Sequence, residues 1–283
     1  MNKQTVQLTT FFALTAMIGA MVLAPCGQAQ TQAGGDRLTV NLDDPSRPAF
    51  VKASLVNGGF TVKAYDGKEV IVEARVRNQE VEKPSSGPKR LNISTTGLSV
   101  EEENNEISIS TESYARTIDL IITVPAHTSL KLRAVNDGDI VVTGVDGDID
   151  VDDINGSVTL NNVSGGVVAH ALNGRVLATF VHVNPQKPMA FSSLNGDIDV
   201  TLPADVKANV SIKSDRGDVF SDFNVQLQAS APQQVVEDGR KEGGKYRVRI
   251  DKTVRGTING GGPEYQFTNF QGQIFIRKAG SPR

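Results

Sequence analysis

The chain has 283 residues, with 29 Lys and Arg against 32 Asp and Glu, a formal net charge of −3. That near-balance excludes the chain-wide basic excess of a nucleic-acid-binding protein. One Cys, three His and no Trp leave little material for thiol, haem, iron–sulfur or multi-histidine zinc chemistry.

The first 29 residues read as an export signal rather than as structure. Lys3 supplies a positive start, Phe11 to Ala24 an apolar stretch, and Gly27-Gln28-Ala29 small residues at the −3 and −1 positions of a signal-peptidase site. No acidic residue occurs before Asp36, and the apolar run is short for a membrane span. Losing residues 1–29 removes only Lys3 from the charge count, leaving 28 positive and 32 negative groups. A second reading is open at Leu23-Ala24-Pro25-Cys26, which resembles a lipoprotein box with Pro25 where a small residue is expected. In that case an acylated Cys26 tethers the chain, and this N-terminal lipid is the one membrane contact expected. Either way the chain is expected to be exported from a bacterial cell, to the periplasm, the cell surface or the medium.

Residues 30–36 are expected to be a flexible mature N-terminus, followed by an N-terminal β-strand region over 37–133. Strand patterns occur at Arg37–Leu42, Phe60–Tyr65, Val70–Val76, Glu106–Ser110, Ile118–Val124 and Leu130–Leu132. A polar insertion at Asn78–Arg90, with Pro84 and Pro88, reads as a surface loop.

A repeat then takes over. Gly138, Gly147, Gly156, Gly165 and Gly174 follow one another at nine-residue intervals, and each opens a phrase such as Gly147-Asp148-Ile149-Asp150-Val151. Echoes begin at Gly196 and Gly217. Turn-forming Asp, Asn or Ser precedes six of the seven glycines; Arg216 is the exception. Asn-Gly and Asp-Gly favour positive φ, hence a sharp bend. Positions two and four after the glycine are mostly apolar among polar neighbours, the pattern of a strand with one buried face. A third apolar residue recurs seven after the glycine, at Val145, Ile154, Val163 and Leu172. A straight strand would send positions four and seven to opposite faces, so the chain must bend between them.

These units predict an all-β chain: a β-solenoid of nine-residue Gly-x-Ile/Val-x-Val units over 134–278, with the flanking strands partly serving as caps. An antiparallel β-sandwich is the alternative. Further strands are expected at Ala208–Ile212, Tyr246–Ile250 and Gln273–Ile276. A second loop is expected at Gln226–Lys245, and residues 279–283 are a tail.

The Gly-Asp-Ile-x-Val phrase, the Leu202-Pro203 after Gly196–Thr201, and the run from Asn259-Gly260-Gly261-Gly262-Pro263-Glu264 to Gly272–Lys278 together resemble the bacterial "putative adhesin" family of β-strand-repeat domains, a domain of unknown function. The likeness covers roughly Ala134 to Lys278 and extends more weakly to the strands before it. It implies an exported envelope or surface protein with a β-helical domain, and it supplies no catalytic residues.

The candidate sites follow from strand geometry. Asp148, Asp150 and Asp152 alternate along one strand and share its outer face, with Asp139, Asp197, Asp199 and Asp218 at equivalent places in other units. Carboxylates so arranged suit calcium, the one cofactor considered; otherwise they form a solvated wall that discourages strand-edge pairing. Lys245, Arg247 and Arg249 share one strand face and suit an anionic lipid or glycan surface, or simply the wet side of a strand. His127, His170 and His182 have no ligand spacing, and Gly260–Gly262 lack the Lys-Ser/Thr of a phosphate loop. Outward Val141, Val168, Leu177 and Phe220 break the alternation and either meet a partner or are scattered surface hydrophobes.

The resulting expectation is a non-catalytic envelope protein that binds an envelope protein or surface polymer through a rigid β-repeat face, with no nucleic-acid partner. Two alternatives stand beside it. One is an envelope-stress or assembly accessory docking on a membrane protein; the other is a polysaccharide-active β-helix enzyme, which would want aromatics that the repeat almost lacks.

Overall fold

The computed structural model describes residues 35–77, 96–111, 116–228, 234–238, 246–250 and 253–281, with backbone alone for the two short segments 234–238 and 246–250. The export signal, Cys26 and the insertion at Asn78–Arg90 lie outside the described residues.

All described elements are strands. Before the repeat come β1 (Gly35–Asn41), β2 (Ala49–Asn57), β3 (Phe60–Tyr65), β4 (Glu69–Val76), β5 (Leu98–Glu103), β6 (Glu106–Thr111), β7 (Ile118–Pro125) and β8 (Thr128–Asn136). The repeat forms β9 (Ile140–Thr143), β10 (Ile149–Asp153), β11 (Val158–Gly165), β12 (Val167–Ala171), β13 (Val176–Val183), β14 (Met189–Ser193) and β15 (Ile198–Leu202). There follow β16 (Ala208–Arg216), β17 (Val219–Ser221), β18 (Gln226–Leu227), β19 (Gln234–Asp238), β20 (Tyr246–Ile250), β21 (Val254–Ile258), β22 (Glu264–Gln271) and β23 (Ile274–Lys278).

Consecutive nine-residue units fall on opposite sheets, so one coil takes two units. The ten-stranded first sheet runs β1-β4-β7-β3-β9-β11-β13-β15-β23-β17, and the eleven-stranded second sheet β18-β21-β16-β22-β14-β12-β10-β8-β2-β6-β5. Units two apart stack in parallel: Val158 lies opposite both Ile140 and Val176, and Ile149 opposite Val167. These parallel ladders make the repeat a β-solenoid; the sandwich would need antiparallel ones. The period-two pattern then fills the space between the sheets. Ile140, Val158, Val176, Ile198 and Ile274 form one column with no exposed surface, and Leu132, Val151, Ala169, Phe191 and Phe267 form another opposite it. Phe191 and Phe267 stack with ring centroids 5.4 Å apart. Burial of such a column is the main stabilising term, at about 25 cal/mol per Å² of apolar surface.

The expected inward bend occurs at every second corner only. Val145 and Val163, which leave the first sheet, are fully buried, whereas Ile154, which leaves the second, is 37% exposed. The glycines also serve a different purpose from the one their dipeptides suggest. Of the seven repeat glycines only Gly165 has positive φ. A Cβ on Gly156 would lie 2.0 Å from the carbonyl oxygen of Gly138, and one on Gly174 would lie 2.0 Å from that of Gly156. The corners touch backbone to backbone, and no side chain fits between them.

The C-terminal coil is laid out of order. After β15 the chain builds β16 and β17, then returns to insert β22 and β23 beneath them; β17 ends the first sheet, while β21 and β18 lie outside β16 in the second. Thus β23 pairs in parallel with both β15 and β17, and β22 with both β14 and β16. Gly272, not Gly217, therefore sits on the Gly196 carbonyl. At the other end, β2 and β3 complete a parallel coil against β8 and β9, and β1, β4 and β5 close it with antiparallel pairs. The expected boundary between residues 133 and 134 falls inside β8. The stretch read as a loop at Gln226–Lys245 contains β18 and β19, and β19 forms an antiparallel pair with β20.

Replacing Gly156 with Ala is predicted to cost about 2–3 kcal/mol in urea unfolding, because backbone must move to admit the methyl group. The nearest atoms to a Cβ on Gly166 are side-chain ones, Asp148 Oδ1 and Lys187 Cδ at 3.2 Å and Lys187 Cβ at 3.4 Å. These can shift by the few tenths of an ångström needed, so Gly166→Ala is predicted to stay within about 0.5 kcal/mol. Equal losses in the two variants would contradict the corner-contact account.

Candidate functional site

Parallel stacking turns each outward position into a rank of side chains crossing the strands. On the second sheet one rank runs Ser108, Lys52, Lys131, Asp150, Val168 and Ala190. The next contains Arg133, Asp152, His170 and Ser192. Neighbours along a rank meet. Lys131 Nζ lies 2.8 Å from Asp150 and Arg133 Nε 3.8 Å from Asp152, whereas Lys52 Nζ reaches diagonally to Glu106, opposite Phe50, at 2.9 Å. His170 Nδ1 is 2.7 Å from Ser192 Oγ. Lys187, in the turn before β14, reaches Asp148 at 2.5 Å.

Asp148, Asp150 and Asp152 therefore each engage a different cation. Among the described residues no group of three or more His, Cys, Asp or Glu side chains is arranged to hold a metal ion. The carboxylates at equivalent places do not join them, because alternate units face opposite ways: Asp199 projects from the first sheet and pairs with Arg277 at 2.8 Å. Several corner aspartates accept backbone hydrogen bonds from the coil stacked on them. Asp139 Oδ1 accepts from Ser157 N–H at 2.7 Å, Asp197 Oδ1 from Gln273 N–H at 2.7 Å and Asp148 Oδ1 from Gly166 N–H at 3.3 Å.

Of the basic stripe, Lys245 lies outside the described residues. Arg247 and Arg249 are on β20, opposite Glu237 and Val235 of β19. His127 sits 3.0 Å from Asp146. Phe220 is 47% exposed and stacks on Phe275 with centroids 5.1 Å apart, and Arg277 lies 4.7 Å from the Phe275 ring centre on the same face.

Two features were not singled out from sequence. One is an asparagine ladder along a corner: Asn155 donates to Asn136 at 2.7 Å, Asn173 to Asn155 at 2.7 Å and Asn195 to Asn173 at 2.8 Å. Its signal was present as Asn before Gly at eighteen- and twenty-two-residue intervals. The other is an open apolar groove of about 330 Å³ on the second sheet, lined by Phe50, Val167, Val168 and Pro188 and framed by the Lys131–Asp150 and Lys187–Asp148 pairs. Val168 is 49% exposed within it. This arrangement offers an extended polar face with one apolar foothold.

The family model described as Toastrack DUF4097 matches residues 52–259. No curated protein matches the sequence. Among solved structures, a putative cell adhesion protein from Clostridium sporogenes is 10% identical, covering 86% of this chain and 99% of its own, with a TM-score of 0.46. A putative adhesin from Bacteroides fragilis is 12% identical, covering 87% of this chain and 98% of its own, with a TM-score of 0.32.

The outward ion pairs are half-exposed, so solvent screens them. A double-mutant cycle on Lys131 and Asp150 is predicted to give a coupling below about 0.5 kcal/mol at physiological salt. A coupling above about 1.5 kcal/mol would mean the rank carries stability rather than surface chemistry.

Proposed function

The chain belongs to the Toastrack DUF4097 family, and from that premise we propose that it is an exported, non-catalytic envelope protein that binds an envelope component through the outer face of its solenoid. The observation that carries this reading is the second sheet's parallel stack, which sets its outward side chains in straight ranks across the strands. Such a face is rigid before binding, so little ordering entropy is lost when an extended partner lies along it. The polar groups along the ranks are largely engaged with one another from coil to coil, which suits recognition better than acid–base work. The groove at Val168 supplies the apolar anchor that an otherwise polar contact needs. Export is supported by the Lys3, Phe11–Ala24 and Gly27-Gln28-Ala29 pattern. The partner that fits is an envelope protein or surface polymer with alternating polar and apolar groups.

Purified chain is predicted to co-sediment with isolated bacterial envelopes. Val168→Asp should weaken that binding at least about tenfold, the equivalent of about 1.4 kcal/mol. Thr179→Asp, on the outer side of the first sheet, should leave it unchanged. Absence of binding by the unaltered chain, or equal binding by the Val168 variant, would overturn the assignment.

A further inference from the structure

The inward residues at the end of the second-sheet strands form a column containing Ala134, Asp153, Ala171, Ser193 and Asn269. It lies beside the corner glycines, and its polar members share a task. Ser193 Oγ donates to the Gly174 carbonyl at 2.9 Å, and Asn269 Nδ2 donates to the Gly196 carbonyl at 2.8 Å. In both cases the acceptor is the corner glycine of the preceding coil in the stack. For Asp153 the equivalent acceptor is the carbonyl of Gly138.

Asp153 has no exposed surface. Its Oδ1 accepts the Gly156 N–H at 2.8 Å, but its Oδ2 has no partner. The space beside Gly156 where a Cβ would sit is bordered by both the Gly138 carbonyl oxygen, at 2.0 Å, and Asp153 Oδ2, at 2.7 Å. Two acceptors therefore face one small space, and an ionised carboxylate has no hydrogen to place between them. A neutral acid has one.

We infer that Asp153 is carried as a neutral carboxylic acid in the folded chain, with Oδ2–H donating to the Gly138 carbonyl as Ser193 and Asn269 donate to theirs, and that this corner is a pH-sensitive latch on the stack. The surroundings favour the neutral form. Burial pushes the Asp153 carboxyl up to about 7; the backbone N–H groups of Gly156 and, less strongly, Asn155 oppose this, and the carboxylates of Asp139 and Asp152 add to it. On the flanking strands the residues in line with Asp153 are Ala134 and Ala171; their charged or titratable neighbours Arg133 and His170 are in line with Asp152, on the outer rank.

The direction of the pH effect follows. Below about pH 4 the carboxyl is protonated in both folded and unfolded chains, and the latch contributes in full. As pH rises towards about 7 the unfolded chain has lost the proton while the folded chain still holds it, so this stability is progressively lost. Above that value both states are ionised and no further loss occurs.

The test compares urea unfolding of the full chain with that of Asp153→Asn, whose amide donates at every pH. The ratio of unfolding constants, unaltered chain over variant, is expected to climb about tenfold per pH unit between roughly 4 and 7 and then level off. A ratio that changes less than threefold between pH 4 and 8, or a variant that unfolds more readily at pH 8, would overturn the latch. Carboxyl 13C titration of the unaltered chain gives a readout independent of the variant's folding: a midpoint near 7 for Asp153 is expected, and one below about 5 overturns the inference.

Discussion

Everything in this molecule is arranged around the corners where one coil rests on the backbone of the last. With Gly156 and Gly174 each seated on the carbonyl of the preceding corner glycine, the coil-to-coil distance is set by main chain rather than by side-chain size. Parallel strands need a crossover to return to the same sheet, and here the crossover is the strand of the opposite sheet rather than a helix. The corner must therefore reverse the chain in a few residues while its buried amides and carbonyls find partners. Three devices meet that need: the aspartate carboxylates that accept amides from the next coil, the asparagine ladder, and the inward polar column of Asp153, Ser193 and Asn269.

The same stacking determines what the surface can offer. Because each outward side chain has a neighbour in the same rank, opposite charges pair across strands, and the acidic residues that look concentrated in sequence are dispersed and neutralised in space. What remains available for recognition is an ordered polar face and a few apolar exposures, with Val168 set in a groove between two ion pairs. A binding role suits such a surface, and the family match over residues 52–259 places this chain among proteins built on the same repeat.

Much of the fold was legible in the sequence because one physical unit is repeated. Glycine spacing together with apolar residues at positions two and four gave β9 to β13 and β15 with their buried faces, and Val145 and Val163 required a bend. Three things were not legible. The φ of the glycines could not be told from Asn-Gly and Asp-Gly, since those pairs serve equally for a left-handed turn and for a close backbone contact. The unit Met189–Ser193 carries no glycine phrase, so Gly196 appeared as an isolated echo when a full second-sheet strand lies before it. The insertion of β22 and β23 beneath β16 and β17 is a matter of long-range order that local pattern does not encode. At the candidate site, alternation correctly put Asp148, Asp150 and Asp152 on one face. Their partners Lys131, Arg133 and Lys187 come from other coils, beyond the reach of spacing within one strand.

The central claim, parallel stacking of units two apart, is tested most directly by disulfide trapping in a chain whose single cysteine, Cys26, is replaced by Ser. Thr159 and Leu177 lie directly opposite on the outer side of β11 and β13, so cysteines there fall within the reach of a disulfide and should close rapidly under mild oxidation. Cysteines at Asp150 and Thr159, on strands of opposite sheets, should remain reduced. Rapid closure of the 150–159 pair with none at 159–177 would contradict the solenoid and restore an antiparallel arrangement of neighbouring units.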